Sequence, residues 1–405
     1  MSIVRLGLKQ LRAIGLTPSY EELRRHPWLT LLLVKLVLED ERIPINRGDD
    51  CPDSVFLYCL GVLYHAQGSH ERKDTSFGAV FRMLRSMIQP QIMFQMGPTS
   101  TFLRWPALID RLGRDHPCRR HFVERFGVEP RTFMLVTYAA HVPVLNQEQF
   151  FSLPDFDPLR KGLGDQVDRV LGEFTRTMEG LRKELCAQRA QRLANGDKTR
   201  PHHEINEVPW LVNFPLLQTS TDTLKDWHAC VFTRGMDEGV HRRMSEQGGA
   251  YTQHFGIVFE KYVVEQIEHA KITYLSERAY WAQVGGDKNA MEAIITDGTT
   301  NVLVEAKFTL HSDVVTTHLA GGVVWRALKN VHKAMDKAWK VSERLHRRVC
   351  RTGRAPRPSK IFWSWSQANA CTARQRGTSA GCLARMRSTQ KGWRRKVRRP
   401  RRLSN

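Results

Sequence analysis

The chain has 405 residues, 41% hydrophobic and 25% charged, an ordinary globular composition with room for two or three domains that each bury a core. The net charge of +21 suggests a polyanion partner until it is located: Arg344 to Asn405 holds 19 of the 62 Lys and Arg and no acid, which leaves 43 bases against 41 acids before it. No run of eighteen apolar residues occurs, and Trp28 to Leu38 is short and contains Lys35, so a membrane-spanning helix is excluded. The first residues lack the apolar stretch and cleavage site of a secretory signal. Eight scattered Cys with no CxxC pair fit neither a structural zinc nor a disulfide framework, and point to a reducing cytoplasm.

Residues 1–150 read as a helical domain. Ser19 and Glu22 have capping-box spacing ahead of the periodicity of Leu23, Trp28, Leu31, Leu32 and Leu36. Phe81, Leu84, Met87 and Ile88 share one helical face, as do Phe102, Trp105, Leu108, Ile109 and Leu112. Arg119 to Arg125 and Arg131 to Ala140 follow as two helices separated by Gly127. Residues 151–245 read as a helical connector. In it, Pro154 to Leu163 is rich in turns, and Asp165 to Leu193 is one long solvated helix with many i,i+4 charge pairs. Asn195 to Val208 is an exposed polar loop, and Thr223 to Met244 is helical again. Gly248 and Gly249 mark a change of composition.

Beyond them the pattern becomes α/β. Tyr251 to Ala270 is an amphipathic helix with Phe255, Phe259, Val263 and Ile267 on one face, and a strand begins within Lys271 to Tyr280. Ala290 to Ile295 and Asn301 to Phe308 are β-rich runs joined through Asp297-Gly298, a hairpin signal. Trp325 to Val349 is helical, and Lys360 to Trp365 is one more strand. The expected fold class is therefore α+β or α/β: a helical N-terminal region followed by a C-terminal α/β domain over about 246–365.

That domain carries the chemistry. In Val302 to Phe308, period-two alternation puts Leu303, Glu305 and Lys307 on one face and Val302, Val304, Ala306 and Phe308 on the other. A carboxylate two residues from an amine at a strand end can hold a metal ion and set a cation beside its water. The hairpin brings Glu292 across from Glu305 to within a residue or two of register. Asp287, after Gly285-Gly286, is the alternative acid.

The order of Phe255-Gly256-Ile257-Val258-Phe259-Glu260, then Glu292, then Glu305-Ala306-Lys307 resembles the PD-(D/E)xK nuclease superfamily in its Mrr/RecB-like branch. The helix Trp325 to Lys340 resembles the one that packs behind that family's active site. The family's usual Asp is replaced here by Glu292, preceded by Met291 rather than Pro. The resemblance implies a restriction-endonuclease-like domain in which Glu292, Glu305 and the Ala306 carbonyl hold Mg²⁺ or Mn²⁺. It further implies that Lys307 orients the attacking water or stabilises the transition state, and that Glu260 tunes the metal site through a water. It implies phosphodiester hydrolysis in DNA more than RNA, in a bacterial anti-phage or restriction setting, with a phage or host protein sensed by the helical region. Two alternatives share these residues: a non-catalytic nucleic-acid-binding or regulatory protein, and an RNA-cleaving toxin.

Residues 366–405 form a basic tail, in which Arg394, Arg395, Lys396, Arg398 and Arg399 would bind phosphates without sequence preference. It reads either as a disordered arm or as a frameshifted product. His202-His203-Glu204 reads as solvated residues rather than metal ligands, and neither a GxGxxG motif nor a P-loop is present.

Overall fold

A computed structural model describes residues 26–45, 50–68, 94, 102–146, 151–194, 204, 210–246, 249–284, 290–296, 300–308, 326 and 328–351. They form a mixed α and β fold, mostly helical, with two small sheets. They divide into two compact units: the first takes residues up to Val263 together with Lys307–Lys333, the second those from Val264 to Ala306 and from Ala334 onward.

The first unit opens with α1 (Pro27–Glu39), α2 (Asp53–Gly68), α3 (Arg104–Asp110), α4 (Pro117–Phe126) and α5 (Pro130–Leu145). Pro stands in the first turn of α1, α4 and α5, where the missing N–H would have no helical acceptor anyway. Helix α4 stops at Gly127, whose φ of +67° is left-handed and whose N–H bonds the Val123 carbonyl at 2.7 Å. Helix α1 is buried all round. Leu29, Leu32 and Leu33 pack with Phe56 and Leu60 of α2, while Leu31, Val34 and Leu38 join a core with Leu181, Leu185 and Trp227. Lys35 lies inside that helix surface, paired with Glu39 at 3.7 Å and with Glu204. Glu204, expected to be solvated, is therefore a structural partner; His202 and His203 lie outside the described residues.

The connector differs from expectation. Asp165 to Leu193 is not one helix: α6 (Asp157–Leu163) and α7 (Gln166–Phe174) lead to β2 (Thr175–Arg176), then α8 (Met178–Ala194). Thr175 and Arg176 pair in parallel with Leu216 and Leu217, a long-range partnership that local helical spacing cannot reveal. The segment is also not a solvated one, since Val167, Val170, Leu171, Phe174, Leu181 and Leu185 are buried. Thr223 to Met244 is likewise broken, because Thr223–Asp226 forms β4 against β3 (Leu216–Gln218). With β1 (Phe151–Ser152), the sheet runs β1-β4-β3-β2.

After β4 come α9 (Ala229–Arg234), a π-helical turn (Gly235–Gly239) and α10 (Val240–Glu246). Gly235 and Gly239 are required by close approach: a Cβ on either would stand 2.6 or 2.9 Å from the Val212 carbonyl oxygen. The turn carries Asp237 and, in α10, His241 into the interior, where both are buried. Helix α11 (Gly249–His269) starts in this unit and buries Tyr251, Phe255, Val258 and Phe259, as its spacing predicts.

The second unit holds β5 (Tyr274–Ser276), α12 (Glu277–Val284), β6 (Ala293–Thr296), β7 (Asn301–Val304) and most of α13 (Lys329–Arg351). Its sheet is antiparallel in the order β5-β6-β7. Tyr280, Met291, Ile294, Leu303, Ala338 and Val341 form its core. The expected hairpin pairing is present, with Ile294 opposite Leu303. Strand β7 is shorter than expected and ends at Val304, so Glu305 to Phe308 extend past the ladder. The Asp297-Gly298 turn, the strand expected at Lys360 to Trp365 and the whole basic tail lie outside the described residues. Among the described residues no helix is long and apolar enough to cross a membrane.

Two consequences are measurable. Phe255 is fully buried among aromatic rings, so Phe255→Ala should cost about 3–5 kcal/mol in urea unfolding. Burial pushes the Asp237 carboxyl up from 3.8 to about 7, with Arg104 opposing. The folded state thus holds a proton that the unfolded chain has released, and stability falls as pH rises from about 4 to 7. Asp237→Asn should gain on wild type across that window, by up to roughly 4 kcal/mol, and a pH-independent difference would contradict the burial of this charge. Histidines 141 and 241, pushed down by burial to about 4 and about 3, act in the opposite sense and destabilise the fold as pH drops below 6.5.

Candidate functional site

Within the second unit, the ladder register fixes the acidic pair. Ala293 faces Val304, so one step outward sets Glu292 opposite Glu305, on the face that carries Ile294 and Leu303 into the core. The Glu292 side chain reaches back to that neighbour: its Oε2 accepts from the Ala306 backbone N–H at 3.2 Å. Glu305 follows Leu303 on the core-facing side and is buried, its side chain only 4% exposed. Its counter-charge is Lys337 of α13, whose Nζ lies 2.8 and 3.1 Å from the two carboxylate oxygens. Lys337 was not among the expected site residues. Its signal was its position in an amphipathic stripe, three residues after Ala334 and four before Val341, where an apolar side chain is the rule.

Within the first unit, Lys307 and Glu260 meet. Lys307 Nζ stands 3.4 Å from Glu260 Oε1, with both side chains 40% exposed. Each neighbours a pinned aromatic residue. Phe308 packs on His241 at 4.0 Å between ring centroids, on Phe255 at 4.7 Å, on Trp105 at 5.8 Å and on Phe259 at 5.9 Å. Phe259 directly precedes Glu260 in α11. The backbone at both residues is thereby anchored, while their charged ends keep access to water.

The structure therefore brings Glu292 to Glu305 and Ala306, and Lys307 to Glu260. It does not gather the three acids: among the described residues, no group of three or more His, Cys, Asp or Glu could hold a metal ion. Glu260 is instead the ion-pair partner of Lys307. Asp287, the alternative strand acid, and Arg394, Arg395, Lys396, Arg398 and Arg399 lie outside the described residues. In comparisons with known proteins, no family model, no curated protein and no solved structure matches this chain.

The two lysines should differ sharply on removal. Lys337→Met strands a buried carboxylate and should destabilise the fold by about 3 kcal/mol, whereas Lys307→Met breaks an exposed pair and should cost under about 1 kcal/mol. Chemical denaturation of both variants checks the order, and equal losses would contradict it.

Proposed function

We propose that the protein is a metal-dependent nuclease that hydrolyses phosphodiester bonds in DNA. The observation that carries this reading is the in-register opposition of Glu292 and Glu305 at the end of an antiparallel ladder, with Lys307 two residues further along the chain. The donor set suits a hard divalent cation, because two carboxylates and the Ala306 carbonyl are all oxygen, and Mg²⁺ is commonly held by one or two carboxylates with waters completing its shell. When bound, the ion would supply Lewis acidity toward the phosphate and lower the pKa of an attacking water. Glu292 and Glu305 would hold it. The Lys307 ammonium would neutralise charge building on the phosphate oxygens, and Glu260 would orient that ammonium.

The proposed setting is bacterial anti-phage defence or restriction in the cytoplasm, with the helical unit sensing a phage or host protein. A second reading, a non-catalytic nucleic-acid-binding or regulatory protein, is favoured by the pairing of Glu305 with Lys337 and by the absence of a three-acid group among the described residues.

Incubation with supercoiled plasmid and Mg²⁺ separates them. Wild type should nick or degrade the DNA, EDTA should stop it, and Lys307→Ala and Glu305→Gln should each lose on the order of 100-fold or more in rate with unchanged circular dichroism. Cleavage undiminished in both variants would remove the nuclease mechanism.

A further inference from the structure

The buried carboxylate of Glu305 already has a cation. Its side chain is 4% exposed, a second carboxylate stands opposite it on the ladder, and like charges in facing positions destabilise a sheet unless compensated. Compensation comes from a single ammonium. Lys337 Nζ engages both Glu305 oxygens, at 2.8 and 3.1 Å, and so covers the edge of the carboxylate that a divalent ion would need. Glu292 meanwhile spends one oxygen on the Ala306 N–H. The Lys337 stem rises from the core stripe of α13 beside Ala338 and Val341, yet its side chain remains 21% exposed. A four-carbon stem with that access to water can withdraw its charged end without unpacking the helix.

We infer that Lys337 is a resident counter-cation of the site: a divalent ion reaches Glu305 only by displacing it, and Lys337 thereby sets the metal concentration at which the site loads. This rests on the metal-site reading given above and adds the residue that opposes metal binding. The charge balance supports the exchange. Two carboxylates facing one ammonium leave one negative charge over, two carboxylates facing one divalent ion leave none, and ion and ammonium together would carry an excess positive charge into a buried position.

Calorimetric titration of MnCl₂ into the full chain tests this. Lys337→Met should bind Mn²⁺ at least ~10-fold more tightly than wild type, because the competing charge is gone. Lys337→Arg, whose planar fork grips a carboxylate through two parallel bonds, should bind more weakly than wild type. Glu305→Gln/Lys337→Met, which removes both charges and leaves no buried ion uncompensated, should fold and lose the binding. Should Lys337→Met be too unstable for calorimetry, its melting temperature should rise with Mn²⁺ by more than that of wild type. Wild-type binding with Lys337→Met equal or weaker, and no larger melting shift, would overturn the role of Lys337 alone. Absence of Mn²⁺ binding in wild type and every variant would overturn it together with the metal-site reading.

Discussion

Two carboxylates in facing positions of an antiparallel pair repel, and the second unit is built around satisfying that repulsion. Register places Glu292 opposite Glu305, and alternation turns both toward the side where Ile294 and Leu303 pack. An acid at such a position must be neutralised or hydrogen-bonded, since an isolated buried charge costs far more than the ladder supplies. The chain meets the requirement twice, with the Ala306 N–H on Glu292 and the Lys337 ammonium on Glu305. Acidic oxygens concentrated at one strand end and held by removable partners are the physical basis of the proposed metal chemistry.

A second constraint holds the neighbouring residues. Phe308 is fixed among Trp105, His241, Phe255 and Phe259, so the backbone immediately after Lys307 has little freedom. His241 belongs to this aromatic group and lies 3.2 Å from the Tyr251 hydroxyl. Burial keeps it neutral at ordinary pH, so it packs as a flat ring rather than as a charge. The exposed ion pair of Lys307 with Glu260 is weak by comparison, which suits a cation that must exchange a carboxylate for a phosphate.

Much of this was legible in the sequence where the determinants are local. The spacing of Phe255 and Phe259 gave the buried face of α11, and the alternation of Leu303 and Glu305 gave the opposition to Glu292. The reading failed where a distant partner decides. Thr175-Arg176 sits inside a helical charge pattern but is drawn into a strand by Leu216 and Leu217, and Thr223–Asp226 by the same strand β3. Lys337 was missed for a related reason: its helix was expected to pack behind the site, but only tertiary pairing shows that its ammonium enters the stripe to meet Glu305. Glu204 lies in a polar segment that reads as solvated, while its actual partner, Lys35, is 169 positions away.

The most direct measurement of the central claim is an anomalous difference map from crystals of the full chain grown with Mn²⁺. A peak bounded by the carboxylates of Glu292 and Glu305, with Lys337 swung away toward solvent, is the expected result. Crystals of a Mn²⁺-saturated protein with no density there, and Lys337 still seated on Glu305, would contradict it.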